Sequence, residues 1–208
     1  MKTTLQLAIA LFSLLTAGIT TANAETSAGD ADRGKDKSAT CAACHGADGN
    51  SINPVWPSLA GQHASYTEAQ LVAFKSGERQ DVLMTSQAMI LDDQAIKDLA
   101  AYYASQSPAP KAVANKALIN RGEQLYRGGD AESKASACLA CHGPGGKGNP
   151  AAGYPNISGQ HAAYVAKQLR DYASGTRKSD REQMMRNVSA ALSADDIEAI
   201  ASYVQGLH

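Results

Sequence analysis

The chain has 208 residues, with 19 Lys and Arg against 20 Asp and Glu, and only 5% of its residues are aromatic. A near-neutral balance with no basic run excludes the ordinary electrostatic footprint of a nucleic-acid-binding protein. The charge is unevenly spread: residues 25–110 hold 6 Lys and Arg against 11 Asp and Glu, and residues 111–208 hold 12 against 9, so the chain is acidic in front and basic behind.

The first residues, MKTTLQLAIALFSLLTAGITTANA, read as a secretory signal over 1–24. Lys2 is the positive start, an apolar run extends from Leu5 to Ala17, and Ala22-Asn23-Ala24 is a small-residue cleavage site. The run is too short for a membrane span and is broken by Ser13, Thr16, Gly18 and Thr20. The expected mature chain is 25–208, exported.

The rest is an internal repeat. DRGKD (32–36) resembles NRGEQ (120–124), and CAACHG (41–46) resembles CLACHG (138–143). WPSLAGQHASY (56–66) corresponds to YPNISGQHAAY (154–164) at an offset of 98, which also takes Gly77 to Gly175. LDDQAIKDLAAYY (91–103) corresponds to LSADDIEAIASYV (192–204) at an offset of 101. Each half therefore reads as a short helix, a Cys-x-x-Cys-His motif, a Gly/Pro-rich loop, a helix, a second loop and a final helix. The middle helices span 63–76 and 161–174; the second shows Val165, Leu169 and Tyr172 on one face, and glycine follows both. The final helices start behind Asp92 and Ser193 as N-caps and align Ile96, Leu99, Tyr103 and Ile197, Ile200, Val204. No window alternates like a strand, so the predicted class is all-α with two tandem domains, 25–110 and 111–208. The boundary falls in SQSPAPKAVANKA (105–117), whose prolines favour an extended strap.

All four cysteines lie in the two Cys-x-x-Cys-His motifs. A four-thiolate zinc site would need the two pairs close in sequence, and they are one per repeat. A thioredoxin-type dithiol needs a βαβ setting and leaves the histidine idle. Covalent c-type haem uses every position: the thiols of Cys41 and Cys44, and of Cys138 and Cys141, add to two vinyl groups, and His45 and His142 then lie under the iron. Two small domains with a single Trp between them need extra core volume, which a large flat apolar cofactor in each supplies.

Among the methionines only Met84 and Met185 are matched by the repeat, at the offset of 101, which makes them the expected sixth ligands. His63 and His161 also recur, but each opens a helix in a Gly-Gln-His sequence, where capping or a surface role accounts for it. Metal-bound imidazoles commonly donate their other N–H to a carbonyl, and the matched Pro57 and Pro155 offer stiff acceptors. Gly34 and Gly122 permit close crossing of the first and last helices, beside Tyr102 and Tyr203.

Taken together, the leader, the paired motifs, the Pro-x-[Leu/Ile]-[Ala/Ser]-Gly-Gln-His loops, LYRGG (125–129) and the ending SYVQGLH resemble the cytochrome c4 family of di-haem class I cytochromes c. The resemblance covers residues 25–208. It implies two class I domains facing across a pseudo-twofold, two covalent haem c groups, and the iron ligands His45, Met84, His142 and Met185. It also implies a bacterial periplasmic electron carrier, loosely associated with the inner membrane, between a donor such as a quinol-oxidising complex and a terminal oxidase. One departure is the segment before Met84, three residues shorter than that before Met185 when counted from Gly77 and Gly175.

The expected activity is electron transfer without catalysis. A di-haem enzyme acting on sulfur compounds or peroxide would need an exchangeable distal ligand, which nothing in the sequence demands. An electron-accepting subunit of a periplasmic dehydrogenase would have the same haem sites. An acidic surrounding stabilises ferric iron, so the N-terminal haem is expected to have the lower potential. A potentiometric titration assigned with separately produced halves checks this, and a reversed order would overturn it.

Overall fold

The computed structural model describes residues 28–208, so the leader expected at 1–24 lies outside the described residues. The first half contains α1 (Ala31–Lys37), α2 (Ala39–His45), α3 (Ala64–Ser76), α4 (Val82–Met89) and α5 (Asp93–Ser105). The second repeats the order with α6 (Ile119–Gly128), α7 (Leu139–His142), α8 (Ala162–Ala173), α9 (Met184–Ala190) and α10 (Ala194–Gln205). Among the described residues there is no strand, only two isolated antiparallel bridges. The architecture is all-α, two tandem domains.

Local chemistry sets the helix ends. Asp92 accepts from the Ala95 N–H, and Ser193 forms a reciprocal capping box with Asp196. Gly77 and Gly175 both take positive φ just beyond α3 and α8, as a left-handed stop requires. The second loop of each half differs from expectation, because it contains a helix, α4 or α9. These helices are too short to show a periodic face, and α4 is started by Asp81, whose carboxylate accepts from the N–H groups of Leu83 and Met84. In the second half a 3₁₀ turn, Arg181–Gln183, precedes Met184, with positive φ at Glu182 and Gln183. The change of repeat offset from 98 to 101 falls in this segment.

The first and last helices of each half cross at a glycine. A Cβ on Gly34 would lie 2.0 Å from the Asp98 carbonyl oxygen and 2.7 Å from Tyr102 Cβ. One on Gly122 would lie 2.3 Å from the Ala199 carbonyl oxygen and 2.7 Å from Tyr203 Cβ. Only glycine allows the backbones to approach this closely. An arginine reinforces each crossing. Arg33 grips the fully buried Asp98 through Nε and Nη2 at 3.0 and 2.9 Å, and Arg121 donates to Asp196 at 2.8 Å.

The two cores are unequal. Leu125, Tyr126, Ile197, Ile200, Tyr203 and Val204 anchor an extended cluster in the second half. In the first half the cluster is Leu99, Tyr102 and Tyr103, with Cys41, Leu59 and Leu91 against it. The strap between α5 and the second half is pinned at both ends. Asn50 holds Ser107 and Ala109, while Gln205 and Ser202 hold Ala112 and Asn115.

Gly122→Ala is expected to destabilise the protein by about 2–3 kcal/mol, because the clash is with backbone that cannot rotate away. Denaturant unfolding followed by far-UV dichroism measures it, and a neutral result would show that the crossing can relax. The Arg33 hydrogen bonds hold Asp98 well below the usual carboxylate range; burial opposes them, and the Asp30 N–H, Gln94 and Lys37 add to them. The resulting stability is complete above the unfolded carboxylate pKa of about 4 and is lost as pH falls through the depressed folded value. Asp98→Asn should therefore flatten the acid limb of the stability–pH curve, and an unchanged slope would count against the pair.

Candidate haem sites

Helices α2 and α7 exist to present one imidazole each. Cys41 and Cys44 lie three residues apart on α2, so their thiols share a side, and His45 ends the helix. Cys138 caps α7, Cys141 follows one turn on, and His142 ends it, its N–H donating to the Cys138 carbonyl at 2.9 Å. Gly46 and Gly143, both at positive φ, then turn the chain away. The loops return in matched fashion: Leu59 N–H donates to the Gly49 carbonyl at 2.7 Å and Ile157 N–H to that of Gly146 at 2.8 Å.

That return brings a proline carbonyl to each imidazole. His45 Nδ1 donates to the Pro57 oxygen at 2.8 Å, and His142 Nδ1 donates to that of Pro155 at 3.0 Å. Both acceptors are those expected from the repeat. Both imidazoles are buried, and burial, partly offset by the carbonyl bond, lowers their pKa. A neutral ring with Nδ1–H engaged leaves the Nε2 lone pair free for a metal.

The thiols fit the same group. All four cysteines are free and half-buried, and burial pushes the Cys138 thiol up to about 11. Among the described residues no three His, Cys, Asp or Glu side chains gather as a metal site, so the cysteine pairs do not converge on a shared ion. The donor set in each half is two free thiols and one oriented imidazole, which is what a covalently attached haem requires.

The methionines separate by environment. Met84 on α4 and both Met184 and Met185 on α9 are half-buried, and of the α9 pair Met185 packs on the second-half core. Met89 is 65% exposed, and Met184 Sδ receives the Tyr154 hydroxyl at 3.9 Å.

His63 and His161 occupy N-cap positions, yet neither side chain caps its helix. Each instead reaches across to the other half. His63 Nε2 meets the Lys147 carbonyl at 2.8 Å, and His161 Nε2 meets the Ser51 carbonyl at 2.7 Å. His161 is buried, which corrects the expectation of a cap or surface role. The cause is the packing of the two halves, which no single helix reveals.

That interface also holds arginines, tyrosines and glutamines outside the expected site residues. Arg79 Nη2 donates to the Tyr164 hydroxyl and to Gln168, both at 2.8 Å; Arg177 Nη2 donates to the Tyr66 hydroxyl and to Gln70 at 2.9 and 2.8 Å. Both arginines are buried and lie 4.5 Å from the ring centroids of Phe74 and Tyr172. Tyr66 and Tyr164, Gln70 and Gln168, and Arg79 and Arg177 all recur at the offset of 98. Polar recurrence at a constant offset, on the helix and just beyond its glycine stop, is the available signal.

Two tandem helical domains, each with two free thiols and an imidazole tied back to a proline carbonyl, define a c-type cytochrome. The family model for cytochrome c matches residues 31–107 and again 119–208. Cytochrome c4 from Azotobacter vinelandii is 47% identical over 205 residues, covering 94% of this chain and 96% of the relative. The crystal structure of reduced recombinant cytochrome c4 from Pseudomonas stutzeri superposes with a TM-score of 0.84 at 46% identity, covering 87% of this chain and 100% of that one. A thiosulfate dehydrogenase electron acceptor from Stutzerimonas stutzeri is 37% identical over 167 residues, covering 78% of this chain and 76% of the relative. The chain belongs to the cytochrome c family, in its cytochrome c4 branch, and is a di-haem electron-transfer protein rather than an enzyme.

Proposed function

We propose that this chain is a periplasmic carrier of single electrons that delivers them to a terminal oxidase. In this reading residues 1–24 direct export, and 25–110 and 111–208 are two mono-haem units. Cys41, Cys44, Cys138 and Cys141 would tether the porphyrins, and His45 with Met84 and His142 with Met185 would supply the iron ligands. The observation that carries it is the duplicated imidazole–proline bond, matched in each half by a half-buried methionine at the repeated position on a short helix, Met84 on α4 and the core-packed Met185 on α9. Bound haem supplies a one-electron couple, and methionine opposite histidine raises its potential. The chain's own residues hold those ligands: α2 and α7 position the histidines, the loops fix their rings, and α4 and α9 bring in the methionines. With a histidine and a methionine both supplied to each iron, no position would be left for a substrate, which favours transfer over catalysis.

Among the described residues no helix is long and apolar enough to cross a membrane. In this reading any contact of the mature chain with the inner membrane is peripheral. The relative named as a thiosulfate dehydrogenase electron acceptor supports a second reading, in which the donor is a periplasmic dehydrogenase. Co-purification of such an enzyme with the native protein would favour that donor over a quinol-oxidising complex.

The ferric absorption spectrum tests the ligands. The weak sulfur-to-iron band at the red edge should correspond to two methionine-ligated haems per chain. Met84→His and Met185→His should each remove one of the two equal contributions and lower the potential of that haem alone. A band unchanged by either variant would exclude that methionine.

A further inference from the structure

The loop that orients each imidazole is held by the other half of the molecule. Gln160, from the Gly-Gln-His sequence of the second half, accepts from the Ser58 N–H through Oε1 at 2.9 Å and donates from Nε2 to the Ser58 carbonyl at 2.9 Å. Gln62 does the same in reverse, accepting from the Asn156 N–H at 3.0 Å and donating to the Asn156 carbonyl at 2.8 Å. Ser58 follows Pro57 and Asn156 follows Pro155. The N–H gripped by glutamine and the carbonyl that receives the imidazole are therefore the two ends of one planar peptide group.

A continuous chain results: Gln160 Oε1, the Ser58 N–H, the Pro57 carbonyl, His45 Nδ1. Its mirror runs from Gln62 through Asn156 and Pro155 to His142. Hydrogen bonds in series polarise one another, so an acceptor on the amide N–H makes the carbonyl at its other end a better acceptor. A stronger acceptor on Nδ1 raises the basicity of the imidazole, and a more basic imidazole favours ferric iron. Further contacts hold the glutamines in place: Asn156 Nδ2 donates to the Gly61 carbonyl at 3.1 Å, and linker Lys111 bonds both Ser58 Oγ and the Gly159 carbonyl.

We propose that Gln62 and Gln160 are crossed positioning residues, each setting the haem potential of the opposite domain through the proline peptide. The inference rests on His45 and His142 being the iron ligands. Its content is the crossing, since Gln160 also accepts from its own neighbour, the His161 N–H, and a merely local role would act on the C-terminal haem.

The test is a haem-resolved NMR redox titration of full-length holoprotein carrying Gln160→Met, an uncharged near-isostere. The N-terminal haem should gain about threefold in its reduction equilibrium constant, a rise of about 28 mV at 59 mV per tenfold. The His45 Nδ1 proton should shift with it, while the C-terminal haem stays unchanged. Gln62→Met should give the mirror result. A shift confined to the variant's own domain, equal shifts in both haems, or none would overturn the proposal. Amide exchange in the unaltered protein provides an independent check should a variant lose haem. The Ser58 and Asn156 N–H groups must be protected like buried helix amides, and rapid exchange at either would sink the clamp. A wrong ligand assignment would show separately, as an unaltered protein lacking the His45 and His142 ligand signals.

Discussion

Each domain turns on where one imidazole hydrogen goes. With Nδ1–H committed to a proline carbonyl, the ring has one tautomer, one orientation and one free nitrogen. The surrounding structure serves that bond. A short helix ends on the histidine, a glycine at positive φ turns the chain out, and the loop returns to place the carbonyl at 2.8 Å in one half and 3.0 Å in the other. Behind it, the first and last helices cross at a glycine and give the loop a stiff floor. Two tyrosines join floor to loop: Tyr102 donates to the Ala47 carbonyl and Tyr126 to that of Gly143, both at 2.7 Å. An electron carrier benefits from such rigidity, because ligands that do not move between oxidation states keep the cost of transfer low.

The two halves are not equivalent copies. The second has an extended apolar core and the first a smaller one. Their ion pairs reach the same result from different positions, since Arg33 and Arg121 correspond in the repeat, while Asp98 lies mid-helix and Asp196 lies in the first turn of α10. The carboxylate sits at different helix positions in the two halves while the arginine sits at the same one, and both crossings are clamped.

The seam between the domains is polar, and its partners are matched across it. Glutamines 62 and 160, histidines 63 and 161, and arginines 79 and 177 all reach from one half into the other. Each buried guanidinium is met by a tyrosine hydroxyl and glutamine oxygens and stacked on an aromatic ring, which limits the cost of removing a cation from water. Burial pushes the Tyr66 phenol up, but Arg177 and Arg79 outweigh it and hold it below its ordinary value, so the second half's Arg177 is felt across the seam.

Much of this was present in the chain itself. The Cys-x-x-Cys-His motifs, the all-α class, the capped final helices, the glycine crossings and the proline acceptors follow from short-range geometry and from the repeat, which tests every assignment twice. The methionine helices α4 and α9 are not legible in the sequence because they are too short to declare a period. The destinations of His63 and His161 were not legible either: a Gly-Gln-His sequence at a helix start is equally suited to a cap, and only the approach of a second domain offers a carbonyl instead. The sequence by itself determined the paired motifs, the helix caps, the glycine crossings and the imidazole–proline bonds, because those contacts lie within one loop or between helices at a repeated spacing. Only the tertiary structure decided that each half's glutamine grips the other's proline peptide, since that bond joins residues about a hundred positions apart, which no local pattern encodes.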